Sequence, residues 1–180
     1  MNLPNKITIF RVMLIPIFLI LLLIPEIPYG KYYALAVFII ACSSDFLDGY
    51  LARKYNLVTN FGKFMDPLAD KLLVCSALIC FVEFGIVPAW IVIVIIAREF
   101  IISGFRLVAS DNGLVIAASY WAKFKTAIQM IMCVVYILNL DNTIFNILEQ
   151  VLLWLAFALT VISLVDYLIK NRSIIVDGTK

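Results

Sequence analysis

Between positions 45 and 70 the chain holds four aspartates whose spacing could do chemistry. Asp45, Asp48, Gly49 and Ala52 are three and four residues apart, so they share one face of a helix. Asp66 and Asp70, four apart, share a face of the next helix. The connection from Lys54 to Met65 is short, which makes the two helices antiparallel neighbours with their acidic ends at one depth. Two neighbouring carboxylates can share a proton, but four repel too strongly for that remedy. A divalent cation is the natural counter-charge. Oxygen-only ligands in a chain with no histidine suit Mg2+ or Mn2+ better than Zn2+. Two carboxylate pairs could hold two such ions, a clamp used in phosphoryl chemistry. Gly49, Ala52 and Gly62 let a ligand come close to the backbone, and Arg53 suits a phosphate oxygen. Each feature has a plainer reading, since acids cap helices and small residues pack membrane helices. Their joint occurrence favours metal-assisted chemistry on a phosphate or pyrophosphate.

The elements that position these residues are membrane helices. The chain is 64% hydrophobic and 14% charged, against about half and about a quarter in ordinary soluble domains. Too little polar surface remains to face water, so lipid must cover part of the chain. Apolar runs recur over Thr8–Ile24, Tyr32–Ala52, Met65–Phe84, Pro88–Val108, Ala117–Leu138 and Ile144–Ile169. The first stops at a Pro25-Glu26-Ile27-Pro28 turn and has no small-residue cleavage site after it, so a retained helix is expected rather than a signal peptide. No repeat or low-complexity segment interrupts the pattern. The expected fold is an all-α membrane protein, one domain over residues 1–180, with six transmembrane helices.

Charge placement gives orientation. Six spans put both termini on one side, and of the 14 lysines and arginines Lys31 alone falls on the other. Both termini are therefore expected in the cytoplasm, in a cell membrane. Asp45, Asp48, Asp66, Asp70, Lys71, Arg98, Glu99, Arg106, Lys123 and Lys125 interrupt the spans toward their cytoplasmic ends. Charges there normally face a bundle interior or a wet cavity, so a polar, metal-binding cavity open to the cytoplasm is expected. Cys42, Cys75, Cys80 and Cys133 lie in apolar runs with no CxxC pair, and read as packing residues. Trp90, Trp154, Tyr32 and Tyr33 suit interface anchoring, and Asp166 can pair with Lys170 at i,i+4. Nucleic acid is not an expected partner.

The pattern Asp45-x2-Asp48-Gly49-x2-Ala52-Arg53-x8-Gly62-x3-Asp66-x3-Asp70 resembles, without a departure, the signature of the CDP-alcohol phosphotransferase family. Eight fixed positions make the signal specific, although it covers only that stretch. The resemblance implies two divalent metals on the aspartates, Asp70 as general base on the acceptor hydroxyl, and a CDP moiety surrounded by Asp48, Gly49, Ala52, Arg53, Thr59 and Gly62. Thr59 and Asn60 lie in the expected loop and read equally well as turn residues. Leu3 to Arg11, Met65 to Lys71, Ala97 to Ser103 and Trp121 to Thr126 resemble the bacterial branch of that family whose acceptor is glycerol 3-phosphate.

The resemblance thus implies transfer of a phosphatidyl group from CDP-diacylglycerol to sn-glycerol 3-phosphate, with CMP as the second product. A cationic pocket is needed for the acceptor phosphate. Lys63, Arg98, Arg106, Lys123 and Lys125 are its candidates, each equally able to anchor a helix by snorkelling. Lys123 and Lys125 point about 200° apart on a helix, so one of them faces inward; Lys123 is the expected one. Asn5, Thr8 and Arg11 could border the site or cap and anchor the first helix. Small residues on membrane-facing helix surfaces and the resemblance both point to a homodimer. The competing readings are the same chemistry on inositol phosphate, serine or a phospholipid, a divalent-cation transporter, and a catalytically dead scaffold.

Overall fold

The computed structural model describes the backbone of residues 3–54, 60–111, 120–140 and 142–171. Within these, the side chains of residues 3, 4, 45–54, 60–64, 66, 67, 70, 108, 110 and 111 lie outside the description. The described residues form six helices and no strand: α1 (Leu3–Leu23), α2 (Gly30–Lys54), α3 (Asn60–Glu83), α4 (Ala89–Asp111), α5 (Tyr120–Leu138) and α6 (Thr143–Lys170).

Each helix agrees with an expected apolar run, but α1 and α3 begin five residues early. Pro4 explains the first case, because its fixed φ suits a first helical turn and its missing N–H would be unpaired there anyway. In the second case the helix continues through Asn60-Phe61-Gly62-Lys63-Phe64, ahead of the apolar run used to draw its boundary. Asn60 is therefore the first residue of α3 and not a loop residue, while Thr59 falls outside the described residues.

The helix ends have local causes. Gly85 ends α3 at φ 72°, and the Ile86 N–H returns to the Phe81 carbonyl at 3.1 Å. Gly30 opens α2 where an added Cβ would lie 2.6 Å from the Leu21 carbonyl oxygen, so only glycine lets α1 and α2 turn so closely. Asn142 caps α6 by accepting the Ile144 N–H at 3.1 Å. At the other end of α6, Lys170 pairs with Asp166 at 2.7 Å, as its i,i+4 spacing predicts.

The chain divides into two compact units. The first holds Met1–Val87 and Cys133–Asn139. In it α1 packs on both α2 and α3, which also touch each other. Phe18 of α1 meets Phe38 of α2 at 5.7 Å between ring centroids, and Phe81 of α3 meets Tyr136 of α5 at 5.3 Å. The second unit holds Pro88–Met132 and Leu140–Lys180. There α4 packs on α6, with Trp90 against Trp154 and Phe157, and Phe105 against Tyr167.

Beside an apolar core that includes Phe18, Phe38, Leu78 and Ile95, the charged residues Arg11, Arg98 and Lys125 are also buried, while many large apolar residues such as Ile93, Ile131, Val151 and Ile147 are exposed. An exposed apolar surface of this extent suits a lipid surround. Residues Asn5–Leu23, Tyr120–Leu138 and Thr143–Lys170 are each long and apolar enough to cross a membrane. In α2 the described residues Gly30–Ser44 form a further apolar helical stretch. The four cysteines, all among the described residues, form no disulfide, and Cys75, Cys80 and Cys133 are buried in the helix packing.

Candidate active site

The helix bounds give the distance of each aspartate from an end of its helix. Asp48 lies six residues before the end of α2, and Asp66 six residues after the start of α3. Asp45 and Asp70 lie nine and ten residues from the same ends. At 1.5 Å per residue these are depths of about 9 Å for one pair and about 14–15 Å for the other. The two helices contact each other; Asp48 and Asp66 lie at like distances from their helix ends, and so do Asp45 and Asp70. The side chains of all four, and those of Gly49, Ala52, Arg53, Gly62 and Lys63, lie outside the described residues.

The third helix of that unit adds a polar stripe at the same level. Asn5, Thr8 and Arg11 are three residues apart on α1, and all three are buried, Arg11 and Thr8 to 0% exposure. Thr8 is fifteen residues from the C-terminal end of α1, and Asp45 fifteen residues from the N-terminal end of α2. The close turn at Gly30 joins those two ends. Thr8 and Asp45 are thus each about 22 Å along their helices from the turn. A buried guanidinium needs a negative partner, and α1 packs on the two helices that carry the aspartates. Sequence reasoning left this stripe undecided between a cap, an anchor and a site border. Burial removes the anchor reading, since a snorkelling arginine keeps its head in water.

The second unit holds a cluster of charge between α4 and α5. Arg98 is 5% exposed and donates from Nη1 to Glu99 Oε1 at 2.9 Å. Lys125, 2% exposed, donates from Nζ to the same oxygen. The Nε of Arg98 is buried and has no hydrogen-bond partner among the described residues. Lys123 is exposed, its Nζ 5.6 Å from the Tyr120 ring centroid. The inward lysine is therefore Lys125 and not Lys123. Helical geometry gave their opposition, but the partner that chooses between them is Glu99. Only a carboxylate on the neighbouring helix makes burial of a lysine there tolerable. Arg106 lies two turns beyond Arg98 on α4 and is exposed.

Glu99 is the residue that reasoning from sequence passed over. It counted only as one more charge in a span. The signal was present: an acid next to Arg98, in a helix otherwise apolar from Ile91 to Ala97. One acid among buried cations is where a bridging role is expected.

The donor set fits a hard divalent cation. It consists of carboxylates on two contacting helices, in a chain with no histidine and with three of its four cysteines buried in apolar packing. A family model described as CDP-alcohol phosphatidyltransferase matches residues 1–162.

The chain belongs to the CDP-alcohol phosphatidyltransferase family.

Relatives within this family align over nearly the whole chain. A protein of Bacillus subtilis (strain 168) named CDP-diacylglycerol–glycerol-3-phosphate 3-phosphatidyltransferase is 49% identical, over 94% of this chain and 95% of its own. A protein of the same name from Haemophilus influenzae is 40% identical, over 98% and 97%. Another, from Rickettsia typhi, is 40% identical over 92% and 94%. The match to the phosphatidyltransferase family takes in the four aspartates, the α1 stripe and the α4–α5 charge cluster alike.

Proposed function

We propose that this membrane enzyme transfers the phosphatidyl group of CDP-diacylglycerol to sn-glycerol 3-phosphate, giving phosphatidylglycerophosphate and CMP. The observation that carries this reading is the 49% identity, nearly end to end, with a protein bearing that name. The unbroken spacing of eight motif positions from Asp45 to Asp70 supports it.

In this reading Asp45, Asp48, Asp66 and Asp70 hold two divalent cations, Mg2+ or Mn2+. When bound, such ions neutralise pyrophosphate oxygens and stabilise a departing phosphate. Asp70 takes the proton from the acceptor's primary hydroxyl. The acceptor oxygen forms a bond to the lipid-linked phosphorus, and the bond from that phosphorus to the oxygen shared with CMP breaks. Arg53 meets charge on the departing CMP. Asp48, Gly49, Ala52, Thr59 and Gly62 bound the CDP moiety, the small ones by letting it approach the backbone. Asn5, Thr8 and Arg11 border the carboxylates, and Arg11 offsets part of their mutual repulsion.

Arg98 meets the acceptor's phosphate, with Lys125 beside it, and Lys63, Arg106 and Lys123 complete the candidate set. Burial of Arg98 and Lys125 supports their place at its head. All six helices cross the membrane, with the carboxylates and both termini on the cytoplasmic side, and the enzyme works as a homodimer.

The test is an acceptor panel. Purified protein receives labelled CDP-diacylglycerol with glycerol 3-phosphate, inositol phosphate, serine or phosphatidylglycerol. Labelled phosphatidylglycerophosphate from the first is expected. Product with inositol phosphate alone would end the substrate assignment.

A further inference from the structure

We infer that Glu99 is a positioning residue, one that holds Arg98 and Lys125 in place to receive the acceptor's phosphate. The inference rests on the proposed function and deepens it. One carboxylate oxygen accepts hydrogen bonds from both cations, from Arg98 on its own helix and from Lys125 twenty-six residues away on α5. All three groups are sheltered, with side-chain exposures of 6%, 13% and 2% for Arg98, Glu99 and Lys125. Among the described residues the buried Nε–H of Arg98 meets no acceptor. A buried donor left in this way loses free energy unless an outside acceptor meets it. The chemistry suited to it is an oxyanion with several acceptor oxygens, which a phosphate monoester supplies.

The carboxylate has a second effect. Without it, two cations would sit side by side with little solvent to screen them. The lysine would then swing away from Arg98, since like charges repel strongly where little water screens them. Glu99 thus keeps Lys125 in register with Arg98. It acts through those two groups and touches no reacting atom.

Glu99→Gln keeps the size of the side chain and removes its charge. The expected result is a KM for glycerol 3-phosphate raised by about tenfold or more, the loss of one charge-assisted contact. The KM for CDP-diacylglycerol should stay near that of the wild type. Inhibition by inorganic phosphate, competing with the acceptor, should weaken in parallel. Glu99→Asp keeps the charge one methylene short and should give an intermediate acceptor KM. An unchanged acceptor KM, or equal rises in both KM values, would overturn the inference, because a purely structural glutamate would move both together. If the glutamine variant does not fold, the aspartate variant decides alone: a selective rise supports the inference and no rise overturns it. The two readings fail separately. A wild type that uses another phosphate-bearing acceptor ends the substrate assignment, and Glu99 is then judged by that acceptor's KM. A wild type that uses only serine ends both.

Discussion

Lys125 of α5 donates a hydrogen bond from Nζ to Oε1 of Glu99 on α4, the same oxygen that accepts from Arg98. The contact joins two helices through groups that neither water nor lipid reaches freely. Ion pairs of this kind add little to stability when compared with well-packed apolar residues, but removing one partner is costly. Their presence is better explained by a ligand that needs them.

Lys125→Met should therefore do more damage than Lys123→Met. Losing Lys125 should destabilise the protein by about 3 kcal/mol, near the low end for a broken buried pair because Arg98 still serves Glu99. It should also raise the KM for glycerol 3-phosphate. Lys123, exposed beside Tyr120, should give a much smaller change in both. Denaturant midpoints in detergent and acceptor titrations of the two variants measure the contrast.

How much of this was legible beforehand depends on how local each signal is. The helices were readable because lipid demands long apolar runs, and the runs are there. Helix starts were not, since Pro4 and the polar residues from Asn60 extend α1 and α3 past the apolar signal. Each aspartate pair falls within a single helix, α2 or α3, as its three- or four-residue spacing predicts. The choice of Lys125 over Lys123 was not, because it depends on an acid on another helix. Arg11 was half legible: its position at the expected membrane edge allowed an anchor, and only its burial removes that reading.

Arg11→Ala should act on donor and metal in opposite directions. Removing a cation from the border of four carboxylates strengthens their pull on divalent cations and weakens the hold on pyrophosphate. The half-saturating Mg2+ concentration should fall or stay level, while the KM for CDP-diacylglycerol rises by about tenfold. A higher Mg2+ requirement would place Arg11 away from the aspartates. Activity titrations in Mg2+ and in donor give both numbers from one preparation.

Asp45→Ala should weaken divalent-cation binding rather than the fold. Isothermal titration of the purified variant with Mn2+ should show lost or much weakened affinity, with circular dichroism near that of the wild type. Unchanged Mn2+ affinity would remove Asp45 from the ligand set.

Topology can be read by labelling from one side. A cysteine in place of Glu26 should react with a membrane-impermeant maleimide in intact cells. A cysteine in place of Lys180 should react only after permeabilisation. Cys75, Cys80 and Cys133 are buried and should contribute little background. The reverse pattern would invert the orientation drawn from the lysines and arginines.

The central claim is that the four aspartates of α2 and α3 carry out phosphatidyl transfer to glycerol 3-phosphate. The most direct measurement counts CMP and lipid product together, in vesicles containing CDP-diacylglycerol, for the wild type and Asp70→Asn. With glycerol 3-phosphate and Mg2+ or Mn2+ present, the wild type should release one CMP per phosphatidylglycerophosphate formed. The asparagine variant should remain folded and form neither. Full turnover by Asp70→Asn, or metal flux by the wild type with no CMP released, would contradict the account.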